Sequence, residues 1–597
     1  RAPFGICGVR LLLDGVPATQ PDGQGQVSHF HLATADRVEV LRGPFSALYG
    51  NSSGGVIQLF TAEAAALPQL ALDAFASSAE EQRYSLVGSG YGGTLGYSYF
   101  HTAGQRPHSA AERHALNGKF KLGLGTGRSL TLLANHLDAP SAQDPLGLSR
   151  AQFDSNPAQT APQAQQFDTR KSTAQSQLAA IYTQAFDRHR ELRLLGYGGA
   201  RDIEQFLAIP VAAQSSATAS GGVVDLGSQY GGVDARFSAQ YASLSWVAGI
   251  SLDTLRQRRR GYENFVGTHT GVRGALRRDE SNTVTAVDQY LQADWLITAR
   301  LSLLAGVRHS ALRFASHDRY VREGNGDDSG RLRYEATTPV AGLLFKLSPQ
   351  LHTYASYGTG FETPTFAELA YRPDGAAGLN LALRPARSRN AELGLKLRPT
   401  PRSRIGLAVF RNDSRNELVT ASNQGGRATF TNAASTRRQG LELSVQAELS
   451  RQVDAQFAYS WLDATVRESY LSCTGQPCAA AQTTIPRGAR LPGVGKSQLF
   501  SQLRYRPSTR WQLAAEWQYS SAVTVNDLNS EAAPDYGLLD LAAAFQLSER
   551  ARFSLRLDNL LDARYAGSVI VNEGNGRYYE PGRGRSLLAG VQLMLSR

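Results

Sequence analysis

Few residues of this chain are spaced for catalysis. There is no HExxH, no GxSxG elbow, no P-loop and no paired CxxC, and Gly123-x-Gly125-x-Gly127 falls at an expected hairpin turn instead of a strand-to-helix junction. Side chains able to bind or coordinate do gather at a few places. Between Gln20 and His31 stand Asp22, Gln24, Gln26, His29 and His31, all capable of hydrogen bonding to a small guest and all equally readable as ordinary polar loop residues. His29-x-His31 points weakly to a metal, because two imidazoles alone are a poor ligand set, and no resident metal is expected. A single Met argues against a thioether site for copper(I). Arg256, Arg258, Arg259 and Arg260 make a local excess of positive charge. Cys473 and Cys478, in CTGQPC, would close as a short disulfide ring in an oxidising compartment and would otherwise be two free thiols, while Cys7 stands far from both in the chain.

The elements that must carry these groups are strands. At 597 residues the chain exceeds one ordinary soluble domain, so it holds several domains or one very large closed sheet. Hydrophobic residues make up 42% and the mean hydropathy is −0.30, which excludes a bundle of apolar membrane helices but not a barrel whose strands are apolar on one face. Leu441–Leu449 shows the pattern: Leu441, Leu443, Val445, Ala447 and Leu449 alternate with Glu442, Ser444, Gln446 and Glu448. The same period of two recurs in Gln289–Ile297, Val453–Trp461, Trp511–Tyr519, Gly537–Leu547 and Leu587–Leu595. A soluble sandwich would alternate too, but the aromatic and leucine content of the apolar face, sustained from about residue 67 onward without a helical segment, favours a membrane barrel. Allowing about 24 residues per strand with its share of loop predicts about 22 strands, a size at which the lumen is plugged. Tight connections such as Leu449–Val453 alternate with long polar ones such as Asp138–Lys171 and Ser469–Lys496, as short periplasmic turns and long external loops would. The net charge of +11 has no nucleic-acid-binding signature beside it, so nucleic acid is not an expected partner.

Residues 1 to 63 differ in texture, with short strand-like runs at Val9–Asp14, Arg37–Leu41 and Gly55–Thr61 joined by Gly-rich turns. The segment Val9–Thr61 resembles the C-terminal half of the plug domain of TonB-dependent outer-membrane receptors: LLLDGVP, RVEVLRGP, ALYG and SSGGVIQLFT come in that family's order and spacing. Asp558–Tyr565 (DNLLDARY), Tyr579–Arg585 (YEPGRGR) and Ser586–Leu595 resemble its last two strands, and GTGFETPTFAEL (Gly358–Leu369), leading to NAELGLK (Asn390–Lys396), resembles a strip of its wall. The resemblance departs at Leu595-Ser596-Arg597, where the family usually ends on an aromatic residue. The chain opens at Arg1 with neither an initiator Met nor an export signal, and the plug segment is about half the family's usual length without the TonB-contacting box, so an incomplete plug is expected.

That resemblance implies an all-β membrane protein, a 22-stranded antiparallel barrel formed by residues 67–597 with a small mixed α/β plug, residues 1–63, in its lumen. It implies a monomer in the outer membrane of a Gram-negative bacterium, with no enzymatic activity. Its function would be import of a ferric siderophore or similar iron chelate, driven by TonB and its inner-membrane complex. The iron would travel inside the chelate, so no cofactor is implied. Receptors for cobalamin, copper or a carbohydrate, and a passive porin-like barrel, are the alternatives. The implied plug-to-wall ion pairs join Arg42 to Glu392 and Glu442, which alternation also places on the polar parity of their strands. Gln20–His31 becomes the plug apex, with Asp22, Gln24, Gln26, His29 and His31 as candidate chelate contacts. Tyr354, Tyr357 and Phe361 either join them from the wall or belong to the outer aromatic girdle. Arg256–Arg260 would attract an anionic chelate or the phosphates of lipopolysaccharide, and the two readings stand level.

Overall fold

The computed structural model describes residues 6–43, 49–52, 54–424, 427–472 and 481–596; Cys473 and Cys478 lie outside them, and the expected disulfide with them. Period-two alternation over long segments has one closed solution, and the chain adopts it. Twenty-two antiparallel strands form a closed barrel, in which the last strand, Ser586–Ser596, pairs with the first, Gln69–Ser77. Closure leaves no unpaired edge, which a hydrocarbon environment would not tolerate. No helix among the described residues is long and apolar enough to cross a membrane.

Connections at one end are tight. Glu81–Gly90 and Gly93–Thr102 are joined by Tyr91 (φ 52°) and Gly92 (φ 80°), two left-handed residues whose twist matches that of the flanking strands. At the other end the loops are long, for example residues 144–169, 363–385 and 559–585. Alternation is kept in the ladder. In Leu301–Asp318 the even residues from Arg308 to Asp318 are buried towards the lumen, whereas Val307, His309, Arg313 and His317 are exposed. Leucines on the outer parity, such as Leu343, Leu393 and Leu503, remain 47%, 59% and 50% exposed, as the face of a lipid-embedded barrel must.

Inside the barrel sits a four-stranded mixed sheet, ordered β2-β1-β4-β3, from β1 (Val9–Leu13), β2 (Val16–Pro17), β3 (Ala35–Leu41) and β4 (Gly55–Thr61). β1 runs parallel to β4, with Val9 opposite Gly55, while β3 pairs antiparallel to β4. Residues 62–68 then lead directly into the first barrel strand. The lumen is not uniformly polar. Inward residues Leu255, Val284, Leu312 and Phe314 pack with Phe366, Leu369 and Phe430 in an apolar cluster towards the long-loop end. The single-turn helix Phe366–Leu369 belongs to a loop folded inward, which is how a strand-poor segment becomes part of the core.

Candidate functional site: the seat of the plug and the chamber beside it

The turn DGVP fixes one side of the seat. Asp14 (φ 51°) and Gly15 (φ 79°) reverse the chain between β1 and β2, and the left-handed backbone at position 15 favours glycine, beside which the Arg193 guanidinium packs. Asp14 Oδ1 accepts from the Thr61 amide at 3.1 Å and from Lys119 Nζ at 3.1 Å, and Lys119 also reaches Glu63 at 2.7 Å. Asn117 donates to the hydroxyls of Thr34 (2.9 Å) and Thr61 (3.1 Å), and Gln177 to the carbonyl of Pro17 (3.0 Å). Arg10 lies 4.0 Å from Asp253. These partners stand on strands between residues 111 and 262, while Gly50 approaches Arg308 and Gly8 approaches Glu362 on strands further round the wall.

On the far side, Arg42 forms an ion pair with Glu442. Their side chains are 64% and 29% exposed, so this pair stands in a wet environment. Glu392 is held beside it: it accepts a hydrogen bond from the Tyr354 hydroxyl at 2.7 Å, and a Cβ on Gly43 would lie 2.9 Å from its Oε2. Arg42, Glu442 and Glu392 therefore come together across the plug boundary.

The expected apex is placed differently. Asp22 is wholly buried, accepting the Gln24 amide at 3.1 Å and the Phe366 amide at 3.2 Å, and burial holds its carboxyl above the usual range. Gln24 and His31 are buried as well, and Gln26 is half-buried. His29 lies against Gln175 Nε2 (3.1 Å from Nδ1) and the Tyr230 hydroxyl (3.4 Å), and burial first, then the nearby Arg201, lowers its pKa to about 4. His31, held down to about 4 by burial and then by Arg113, contacts the Thr34 hydroxyl at 3.2 Å. As seated, Asp22, Gln24, His29 and His31 are buried and do not face open space, with Asp22 bonded to the inward loop and His29 to the wall. The cause is the inward loop: Asn51 and Thr363 exchange hydrogen bonds at 2.7 and 2.8 Å, and residues 363–371 cover the apex. The signal for that helix was in the sequence, because Thr365-x-x-Glu368 makes a capping box.

The structure also places the aromatic candidates and the arginine run, with Tyr357 on the outer, girdle side of the alternatives the sequence left. Tyr357 is 53% exposed on the outer parity of its strand, opposite in sense to lumen-facing Tyr354, and Phe361 is 3% exposed within the apolar cluster, so neither reaches a lumenal guest. In the arginine run, alternation splits the residues. Arg258 and Arg260 point outward and pair with Asp279 (2.8 Å) and Asp225 (3.0 Å), whereas Arg259 points inward, donating to Tyr371 at 3.0 Å. An anionic guest in the lumen therefore cannot be met by the run as a unit.

A chamber among the long loops had no signal in the sequence. A cavity of about 840 Å³ lies among the upper wall and the long loops, with Asp144, Glu417, Arg438, Asp527, Glu573 and Glu580 in its lining. Arg438 is bonded to Glu417. Burial raises Asp144 and Glu580, and lifts Asp527 to about 6 against the hydrogen bonds from Asn572 (3.0 Å) and Tyr470 (3.4 Å). A second cavity, of about 670 Å³, shares Gln498, Ser520 and Tyr536 with the first and extends to Arg42 and Glu442. Among the described residues no cluster of three or more His, Cys, Asp or Glu is placed to hold a metal ion.

A plugged 22-stranded barrel with this seat defines a class, and comparison with known families names it. The family model described as TonB dependent receptor-like, beta-barrel matches residues 82–560, and that of the TonB-dependent Receptor Plug Domain matches residues 4–56. The chain belongs to the TonB-dependent receptors, which are outer-membrane receptors and transporters of Gram-negative bacteria, not enzymes. The probable TonB-dependent siderophore receptor PiuA of Acinetobacter baumannii is 23% identical over 325 residues, 53% of this chain and 41% of that protein. The metal-pseudopaline receptor CntO of Pseudomonas aeruginosa is 26% identical over 334 residues, 53% of this chain and 42% of that protein. These alignments span about two fifths of the relatives' own length. The crystal structure of PiuA superposes with a TM-score of 0.80 at 17% identity, over 98% of this chain and 89% of the other. That of the ferric citrate transporter FecA in the unliganded form gives 0.80 at 18%, over 99% and 89%. At such identities the likeness is one of fold.

Proposed function

We propose that this chain forms the chelate-receiving barrel of an energised importer, carrying a ferric siderophore or related iron complex across the outer membrane. The observation that supports this best is the pairing of a folded unit seated in the lumen with a chamber large enough for a small chelate among the upper wall and the long loops. A passive porin has no use for a stopper docked through this many specific polar contacts. The chelate supplies all of the iron's ligands, so the receptor contributes hydrogen bonds, charge and shape, and needs no cofactor of its own.

Release of the guest inward requires the plug to move. Solvated ion pairs such as Arg42–Glu442 contribute little free energy, so they orient the plug without locking it, and a pull delivered by TonB and its inner-membrane complex can part them. Siderophore receptors among the relatives and structural neighbours favour iron over cobalamin or another scarce ligand. The test is growth rescue of a receptor-deleted, iron-starved strain by a panel of siderophores, using the full-length protein. Rescue by at least one ferric chelate, abolished when the proton gradient is collapsed, is the expected result. Uptake that survives collapse of the gradient refutes energised import, and rescue by none of the panel refutes the iron assignment.

A further inference from the structure

The chamber among the long loops is charged in the opposite sense to the chain. Five carboxyl and two guanidinium groups are in its lining, whereas the whole chain has a net charge of +11. Both cations are engaged already: Arg438 is bonded to Glu417, and Arg577 donates to Gln163 Oε1 at 2.9 Å. Asp144 accepts the Leu146 amide at 2.8 Å and Glu580 accepts the Ser568 hydroxyl, but neither they nor Asp527 stand in an ion pair among the described residues. Arg106, near Asp144 and Glu580, spends its donors on the carbonyls of Gln159 (2.8 Å), Pro145 (3.2 Å) and Leu146 (2.8 Å).

Asp527 shows most clearly what is missing. It is 5% exposed, in the loop between Trp511–Ser520 and Tyr536–Ser548. Oδ2 accepts from Asn572 and Tyr470, whereas Oδ1 has no donor among the described residues and is not enclosed by protein. A carboxylate so buried needs a hydrogen-bond donor or a cation on each oxygen, and the open side of this one is the chamber. Two other lining residues, Gln205 and Asn423, have an enclosed side-chain oxygen without a donor, so the unmet demand throughout the lining is for donors. Asp144 has open surface and yet is desolvated enough to hold its carboxyl above the usual range, as a group facing a void inside the protein would be. No three of these carboxyls gather into a metal site among the described residues. Their spread over a cavity of about 840 Å³ suits a guest whose donors are distributed over a chelate-sized body, not a bare ion.

We infer that this chamber selects a ferric chelate of positive charge, one that presents a protonated amine to Asp144, Asp527 and Glu580, and that it rejects polyanionic ferric complexes. The inference rests on the reading of the chain as a chelate importer and narrows the class of its guest. An ammonium group supplies three donors and the missing countercharge at once, and its bonds to carboxylates are of the strong, charge-assisted kind. A complex carrying several negative charges meets the same carboxyls as repulsion, with no uncommitted cation in the lining to offset it.

The experiment measures binding to the purified chain in zwitterionic detergent, by equilibrium dialysis at mildly alkaline pH. Its probes are the ferric complex of a linear trihydroxamate with a free terminal amine, the same complex N-acetylated on that amine, and a ferric tris-catecholate. The amine-bearing complex is expected to bind about tenfold more tightly than its acetylated twin, with a preference that shrinks as salt is added, and the tris-catecholate to bind least. Asp527→Asn and, separately, Asp144→Asn are expected to reduce that preference severalfold while leaving affinity for the acetylated complex unchanged, a pattern that a general loss of structure would not give. The two substitutions lie on different loops and folding is read from heat-modifiable gel mobility, so either one decides the matter. Equal affinity for the amine and its acetylated twin, tighter binding of the tris-catecholate, parallel loss of both trihydroxamates in the variants, or binding of none of the three overturns the inference. Growth rescue separates it from the import reading: gradient-dependent rescue by tris-catecholates alone leaves import standing and removes the charge selectivity, whereas amine-selective binding without gradient-dependent uptake does the reverse.

Discussion

Arg42 and Glu442 join the plug to the wall across from the strands between residues 111 and 262, and with the Arg42 side chain 64% exposed their attraction is screened. Such pairs contribute about 0–1 kcal/mol. We therefore expect Arg42→Ala and Glu442→Ala each to loosen the plug slightly in urea, with a double-mutant coupling below about 1 kcal/mol but not zero; strictly additive effects would mean the pair carries nothing. His29 behaves differently because it is buried. Its folded pKa of about 4 lies below the ordinary histidine value of 6.5, so between those values the folded protein binds fewer protons than the unfolded one. The stability that comes from burying a neutral imidazole is complete above pH 6.5 and is lost as the pH falls towards 4, up to about 3 kcal/mol on a full shift. Limited proteolysis of the plug across pH 7 to 4 should show a steep rise in cleavage for the parent and a flatter one for His29→Asn. Identical profiles would remove His29 as a source of acid sensitivity.

Among the elements, the inward loop is held by two kinds of bond. Within itself, Thr365 and Glu368 exchange capping hydrogen bonds; across to the plug, Asn51 meets Thr363 and Asp22 meets the Phe366 amide. Removing the cap with Thr365→Ala should cost about 1 kcal/mol locally. Asn51→Ala should instead weaken the hold between loop and plug while leaving the helix turn intact. Hydrogen exchange separates the two: Thr365→Ala speeds exchange within residues 366–369, and Asn51→Ala speeds it in the plug residues 20–25 as well. Uniform protection in both variants would show that the loop does not brace the plug. This element also marks the boundary of what the sequence could reveal. The outward and inward parity of Leu441–Leu449 is a local property, because neighbouring side chains of a strand must face opposite ways, and it was readable by inspection. The contact between Asp22 and Phe366 joins residues 344 positions apart and has no local signature, so the apex was expected in the open when it is in fact covered. For the same reason Tyr357 could not be assigned to one face until its strand was placed in the ladder, and the chamber, which gathers Asp144, Glu417, Asp527 and Glu580 from four distant segments, was invisible.

At the scale of the whole molecule, every functional statement depends on which parity faces lipid. Leu393 lies on the outer parity, midway along the apolar run of its strand and flanked by Leu395 and Ala391, while the adjacent Glu392 faces the plug. A charge forced onto the lipid face near mid-membrane costs about 2–4 kcal/mol, whereas one added to a hydrated lumen costs far less. Leu393→Arg is therefore expected to destabilise the barrel folded in lipid bilayers by about 2–4 kcal/mol, measured by denaturant titration in vesicles. Ser444→Arg, whose side chain would enter the lower cavity, should stay within about 1 kcal/mol of the parent. The comparison is internal, since both substitutions introduce the same residue in the barrel wall and differ chiefly in the face to which it points. In a water-soluble sandwich, with Leu393 in the core and Ser444 in solvent, Leu393→Arg would again be the costlier change, so the ordering alone does not separate the two architectures; the response to lipid does, because neither variant of a sandwich would show one. Equal penalties for the two, or stability independent of bilayer thickness in the Leu393→Arg variant, would contradict a barrel whose outer face is solvated by hydrocarbon. A large penalty confined to Leu393→Arg, growing with bilayer thickness as the charge is carried deeper from either surface, is what a membrane-spanning wall requires.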